Sequence, residues 1–250
     1  MTQTHGRRHA VITVAICFLI AVIEGMDIQA AGIAVKGVAA EFGLDKTYQG
    51  YFLSAGILGL LPGSLMGGRW ADKYGRKAVL IASVAVFALF TLFTAWVNSL
   101  AILLMVRFLA GAGLGAAMPN LITLAAESVK PEHRARAVGR MYAGMPVGAA
   151  ILSLVAASNF VENWKNIFYL GGLLPLLVIP VMVWLLPESR EFLQARESRT
   201  AVQGRFQDLF SNGLATRTLL LWVSYFFTLM VVYLMLSWLP SLFQELGFSR

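Results

Sequence analysis

The sequence predicts an all-α membrane protein, and three observations carry that prediction. Of 250 residues, 58% are hydrophobic and only 13% charged, against roughly half and a quarter in an ordinary soluble domain. A mean hydropathy of +0.71 exceeds what a compact core in water could hide. Seven apolar stretches have the length, about 20 residues, that a helix needs to cross a hydrocarbon core about 30 Å thick.

The first span, 11–35, follows Arg7 and Arg8. Two arginines, a short apolar stretch and the small residues Ala30 and Ala31 also outline a cleavable export signal. Glu24 and Asp27 inside that stretch, and the spans behind it, favour an uncleaved first span instead. EFGLDKTYQ closes it, and the second span, 49–68, runs to the basic segment after Gly68. The third, 78–97, stops at Asn98-Ser99; the fourth, 100–122, stops before ESVKPEHRAR. The fifth, 137–158, ends at NFVENWKN; the sixth, 166–186, opens onto a polar stretch from Pro187 to Arg217; the seventh is 217–239. Residues 1–10, 11–186, 187–216 and 217–250 are thus an N-terminal tail, a six-span unit, a central segment and a further span. In the central segment Phe206, Leu209 and Phe210 have helical spacing. They fit a helix lying on the membrane surface or a solvated linker, and both readings stay open.

Lysine and arginine in the connections set the orientation. Fifteen lie on one side: Arg7 and Arg8; Arg69, Lys73, Arg76 and Lys77; Lys130, Arg134, Arg136 and Arg140; Arg190, Arg196, Arg199, Arg205 and Arg217. The other side has four: Lys36, Lys46, Lys165 and Arg250. This predicts a cytoplasmic N-terminus. All six tryptophans fall near span ends, where amphipathic indoles prefer to sit. The net charge of +7 and a pI near 9.8 are therefore explained by topology, and nucleic acid is not an expected partner. The lone Cys17, in an apolar run, permits neither an internal disulfide nor a cysteine cluster and reads as a packing residue.

Charges inside the spans are the informative residues, because each costs a few kcal/mol or more unless paired or hydrated. Three qualify: Glu24, Asp27 and Arg107. At a rise of about 1.5 Å per residue the two acids lie roughly 20 and 24 Å from the inner end of the first span, and the arginine roughly 10 Å below the outer surface. Opposite charges thus share a level, and a cavity holding all three is expected. One arginine cannot neutralise two acids, which leaves one acid free to titrate. In one reading a desolvated carboxylate takes up a proton while Arg107 pairs with an acid or with an anionic substrate. In the other, the charges form a static pair that fixes two spans.

Small residues form rows: Gly56, Gly59, Gly63 and Gly67 in the second span; Gly111, Gly113 and Gly115 in the fourth; Gly139, Gly144 and Gly148 in the fifth. They allow close backbone packing, either static or as surfaces that slide. Pro62, Pro119, Pro146, Pro175 and Pro180 also fall within spans, where the missing donor favours kinks. His5, His9 and His133 lie outside the spans, so no intramembrane Ser-His pair or histidine metal site is expected. The glycines of GGRWADKYGRK follow no phosphate-loop spacing. No enzyme activity, metal or cofactor is expected.

The segment Gly68-Arg69-Trp70-Ala71-Asp72-Lys73-Tyr74-Gly75-Arg76-Lys77 resembles the cytoplasmic signature of the major facilitator superfamily, G-x-x-x-D-[RK]-x-G-[RK]-[RK]. RFLAGAGLG, from Arg107, resembles its motif in the fourth span, and LPESR, from Leu186, its exit from the sixth. EGMDIQAAGIA, from Glu24, looks like the acidic signature D-G-x-D of the aromatic acid:proton symporters, with Glu24 in place of the first aspartate. With SAGILGLLPG (54–63) and PNLITLAAE (119–127) it is most similar to the 3-(3-hydroxyphenyl)propionate transporter branch.

The resemblance implies an N-terminal six-helix bundle plus helix 7 of a fold with twelve spans in two repeated halves, the site lying between them. It implies that the chain as given is shortened, and that a C-terminal half would complete it. It further implies proton-coupled import of an aromatic carboxylate across a bacterial inner membrane. Glu24 and Asp27 would be coupling or substrate-site acids, Arg107 their charge partner, and Asp72, Arg76 and Lys77 part of an inner-side latch. A carrier of another substrate, such as a sugar or drug, and a non-transporting membrane fragment are the alternatives.

Overall fold

The computed structural model describes residues 2–157, 163–197, 210–211 and 213–245, and no strand occurs among them. In chain order the helices are α1 (Thr2–Phe42), α2 (Lys46–Tyr74), α3 (Arg76–Thr94), α4 (Leu100–Glu127), α5 (Arg134–Tyr142), α6 (Gly144–Ala156), α7 (Lys165–Leu185), α8 (Arg190–Glu197) and α9 (Ala215–Glu245). Among the described residues seven segments are long and apolar enough to cross a membrane, α5 and α6 together making the fifth.

The helix ends differ from the expected spans for local reasons. α1 outruns its apolar stretch until Gly43, whose φ of 64° no side-chain-bearing residue adopts comfortably. α2 starts at Asp45, whose carboxylate accepts the Tyr48 N–H at 2.9 Å, an N-cap. It then continues through Gly68 to Tyr74, so most of the basic segment is helix and Gly75 alone separates α2 from α3. The expected single fifth span is broken at Ala143. Pro146 has no N–H to offer the Tyr142 carbonyl four residues earlier, whereas Pro62, Pro119, Pro175 and Pro180 lie inside unbroken helices. Phe206, Leu209, Arg199, Arg205 and Arg250 lie outside the described residues; Phe210 meets the ring of Trp222 edge-on.

Two apolar clusters hold the bundle. The inner one contains Ile16, Ile20, Leu80, Leu114, Leu121 and Met182, and the outer one Val22, Val35, Phe52, Leu103, Leu152 and Phe168. α2 packs chiefly on α4, and α1 on the α6 half of the broken span. These contacts are backbone to backbone: a Cβ at Gly111 would overlap the Gly56 carbonyl and one at Gly115 the Leu60 carbonyl. Across α1 and α6, Gly148 abuts the Val22 carbonyl and Gly144 that of Phe18. The small-residue rows therefore pack as expected, with one correction. Gly139 faces open space, because it lies on the side of α5 away from the buried Ala137 and Met141. At the outer edge Glu41 accepts from Trp164 Nε1 at 2.8 Å and from Lys165 Nζ at 2.7 Å, tying the end of α1 to the start of α7.

Candidate functional site

Glu24, Asp27 and Arg107 are all buried, at 3%, 6% and 4% exposure. Burial of three charges in an apolar bundle demands partners, and the structure supplies them unequally. Arg107 Nη1 and Nη2 donate to the two carboxylate oxygens of Asp27 at 3.1 and 3.4 Å. This fork pairs the planar guanidinium with a planar carboxylate. The guanidinium also lies over the Phe168 ring, 5.1 Å from its centroid, a cation–π contact strengthened by the dry surroundings. Gly56 borders the guanidinium, and a Cβ there would stand in ordinary van der Waals contact, 3.5 Å from Nη2.

Glu24 has no such partner. Its Oε2 is buried without a hydrogen bond, and it sits on α1 between Ile23 of the inner cluster and Met26 of the outer one. Asp27 and Arg107 do not line the cavity beside Glu24. Glu24 shares this apolar cavity of about 10 Å³ with Phe87, Leu114 and Pro175. That is close to the space of one water and far below the few hundred Å³ of a small-molecule pocket. Asp27 and Glu24 project about 60° apart around α1, and only Asp27 meets the Arg107 guanidinium on α4.

The basic segment assembles a second constellation at the other end of the bundle. The Glu188 carboxylate accepts the backbone N–H groups of Arg76 and Lys77 at 2.9 and 3.0 Å, capping the free N-terminus of α3 from a distant element. Gly75 is required there: its φ is 97°, and a Cβ would overlap Glu188. The Arg76 guanidinium pairs with Glu127 at the end of α4, which also accepts the Ser189 hydroxyl. Lys77 Nζ donates to the Val183 carbonyl at 2.7 Å, and Arg134 pairs with Glu191 at 2.8 Å.

Of the other predicted members, Asp72 lies within electrostatic reach of Arg76 but has no hydrogen bond among the described residues. Lys73 rests over the Tyr74 ring, and Gly68 faces open space. Sequence reasoning missed Glu127, Glu188 and Ser189 as the partners of this segment. The signal was present, since two acids flank the ends of the fourth and sixth spans inside motifs already singled out.

Helices packed glycine to backbone around paired intramembrane charges, with a capped basic segment at one end, define a multi-pass membrane protein. The sequence profile of the Major Facilitator Superfamily matches residues 17–250, and the chain belongs to that superfamily. It is 46% identical over 248 residues to the 3-(3-hydroxy-phenyl)propionate transporter of Escherichia coli, covering 99% of this chain and 60% of that protein. It is 36% identical over 266 residues to a 4-hydroxybenzoate transporter of Pseudomonas aeruginosa, covering 94% of this chain and 59% of that protein. The chain thus spans about 60% of the length of these curated relatives, which are transporters of aromatic acids and not enzymes. A crystal structure of a D-xylose-proton symporter superposes with a TM-score of 0.76 at 19% identity, covering 96% of this chain and 63% of that one. At that identity the likeness establishes the fold.

Proposed function

We propose that the intact protein is a proton-coupled importer of an aromatic carboxylate, such as 3-hydroxyphenylpropionate. It resides in a bacterial inner membrane with its N-terminus in the cytoplasm. Residues 11–186 are its N-terminal bundle, 187–216 the central segment, and residues from 217 onward the start of a second bundle that walls the other side of the pathway. One observation carries the coupling: Glu24 is a buried carboxylate whose Oε2 has no hydrogen-bond partner among the described residues, beside an acid that has one.

A proton added to Glu24 removes its charge, and a neutral carboxyl is cheaper to close away from water. Protonation thereby favours the change between outward- and inward-facing states. The Asp27–Arg107 pair fixes α1 against α4 and holds the level of the site. The substrate's ring lies against apolar and aromatic side chains, and its carboxylate meets a cation. Arg76, Lys77 and Asp72 with Glu127 and Glu188 hold the inner ends of α3, α4 and α7 together as a unit that latches onto the second bundle.

The substrate class is tested by competition. Uptake of labelled 3-hydroxyphenylpropionate by cells making the intact protein is expected to be inhibited by unlabelled aromatic acids and not by sugars or cationic drugs. Inhibition by xylose or by a cationic drug with none by aromatic acids refutes this reading.

A further inference from the structure

The break in the fifth span packs against α1 at the residue next to Glu24. Gly25, next in sequence, lies so close to α6 that a Cβ would overlap the Met145 carbonyl. Three residues before Met145 is Tyr142, the last residue of α5. Its carbonyl lacks the usual i+4 donor because that residue is Pro146. Freed backbone and polar tips at a break inside a membrane helix persist where they line a pathway.

α9 contributes from the opposite side. It rests chiefly on α1, and from Leu219 to Met235 every residue is exposed except Tyr233. Tyr233 is thus the one half-buried residue of that stretch. Tyr142 and Tyr233 lie within electrostatic reach of Glu24 and of one another.

The chemistry of this corner does not suit a carboxylate. Glu24 when ionised offers only acceptors and repels an anion. Arg107, the one buried cation among the described residues, is already held by Asp27 and Phe168. A phenol suits it well, because its O–H donates to a carboxylate while its oxygen accepts from a tyrosine.

Resting on the function proposed above, we infer that Tyr142 and Tyr233, flanking Glu24 at the break in the fifth span, hold the ring hydroxyl of a hydroxylated aromatic acid. The substrate's carboxylate then points away from the N-terminal bundle, toward the part of the pathway walled by the second bundle. Tyr142 and Tyr233 are specificity residues of the same site.

The test compares 3-(3-hydroxyphenyl)propionate with 3-phenylpropionate, which lacks only the hydroxyl, as substrates of the intact protein and of Tyr142→Phe, Tyr233→Phe and the double variant. The readout is the ratio of the two KM values, taken on one membrane preparation so that altered amounts of folded carrier cancel. The wild type is expected to favour the hydroxylated acid, and each single variant to lose roughly tenfold of that preference. A preference unchanged in the double variant overturns the inference while leaving aromatic-acid transport standing. A wild type that accumulates both acids with equal KM does the same. A wild type that accumulates neither overturns the inference together with the function it rests on.

Discussion

Asp27 and Glu24 share a helix and a level, yet only Asp27 is paired, and stability and transport divide between them accordingly. Replacing Asp27 by asparagine leaves Arg107 charged, buried and without its carboxylate. Breaking a buried pair on one side costs about 3–5 kcal/mol, so Asp27→Asn should melt well below the wild type in detergent. Removing both charges with Asp27→Leu and Arg107→Met should recover most of that loss, because a buried pair and a well-packed apolar pair are of similar stability. Glu24→Gln should melt no lower than the wild type, since no hydrogen bond of Oε2 is lost. Thermal melting of the purified proteins checks all three. Counting charges in the sequence showed that one acid had to be left over. Which acid depends on about 60° of rotation around α1, and on where α4 lies, and spacing along the chain does not contain that. Tyr142 and Tyr233 were invisible for the same reason, being two of seven tyrosines until the packing of α5 and α9 on α1 brought them within electrostatic reach of Glu24.

Glycines that look alike in the sequence divide sharply once the helices pack. Gly148 lies against the Val22 carbonyl, whereas Gly139, in the same predicted row, touches nothing. Gly148→Val should push α6 off α1 and destabilise by about 1–3 kcal/mol, as overpacking does. Gly139→Ala should be neutral or stabilising by up to about 1 kcal/mol, the helix propensity of alanine over glycine. Melting temperatures and the amount of each variant recovered from membranes measure the contrast. The spans themselves were legible because lipid demands long apolar runs, and each of the seven is found as helix. Their ends were less so. α2 runs on through Trp70 and Asp72, since polarity marks where a helix leaves the membrane and not where it stops. Only Gly75, held at φ 97° by the Glu188 cap, stops it.

Orientation and transport belong to the assembled protein. With Cys17 replaced by serine, a cysteine at exposed Thr47 should react with an impermeant thiol reagent outside intact cells, and one at exposed His133 should not. The reverse pattern would contradict the cytoplasmic placement of the basic connections. The basic side is also the side on which Glu127, Glu188 and Ser189 gather around Arg76, so the charges from which the topology is predicted also bind helix ends. That double use was hidden in the sequence, where Arg76 and Glu188 are 112 residues apart. From Leu219 to Met235 α9 leaves nearly all its apolar surface uncovered, which is what the proposed second bundle would cover. The most direct test of proton-coupled import is uptake of 3-(3-hydroxyphenyl)propionate into right-side-out membrane vesicles carrying the intact protein, with an inward proton gradient imposed and then collapsed. The wild type should accumulate the acid above its outside concentration only while the gradient lasts. Glu24→Gln should exchange it across the membrane without accumulating it. Gradient-driven accumulation by Glu24→Gln at the wild-type level would contradict the role given to Glu24.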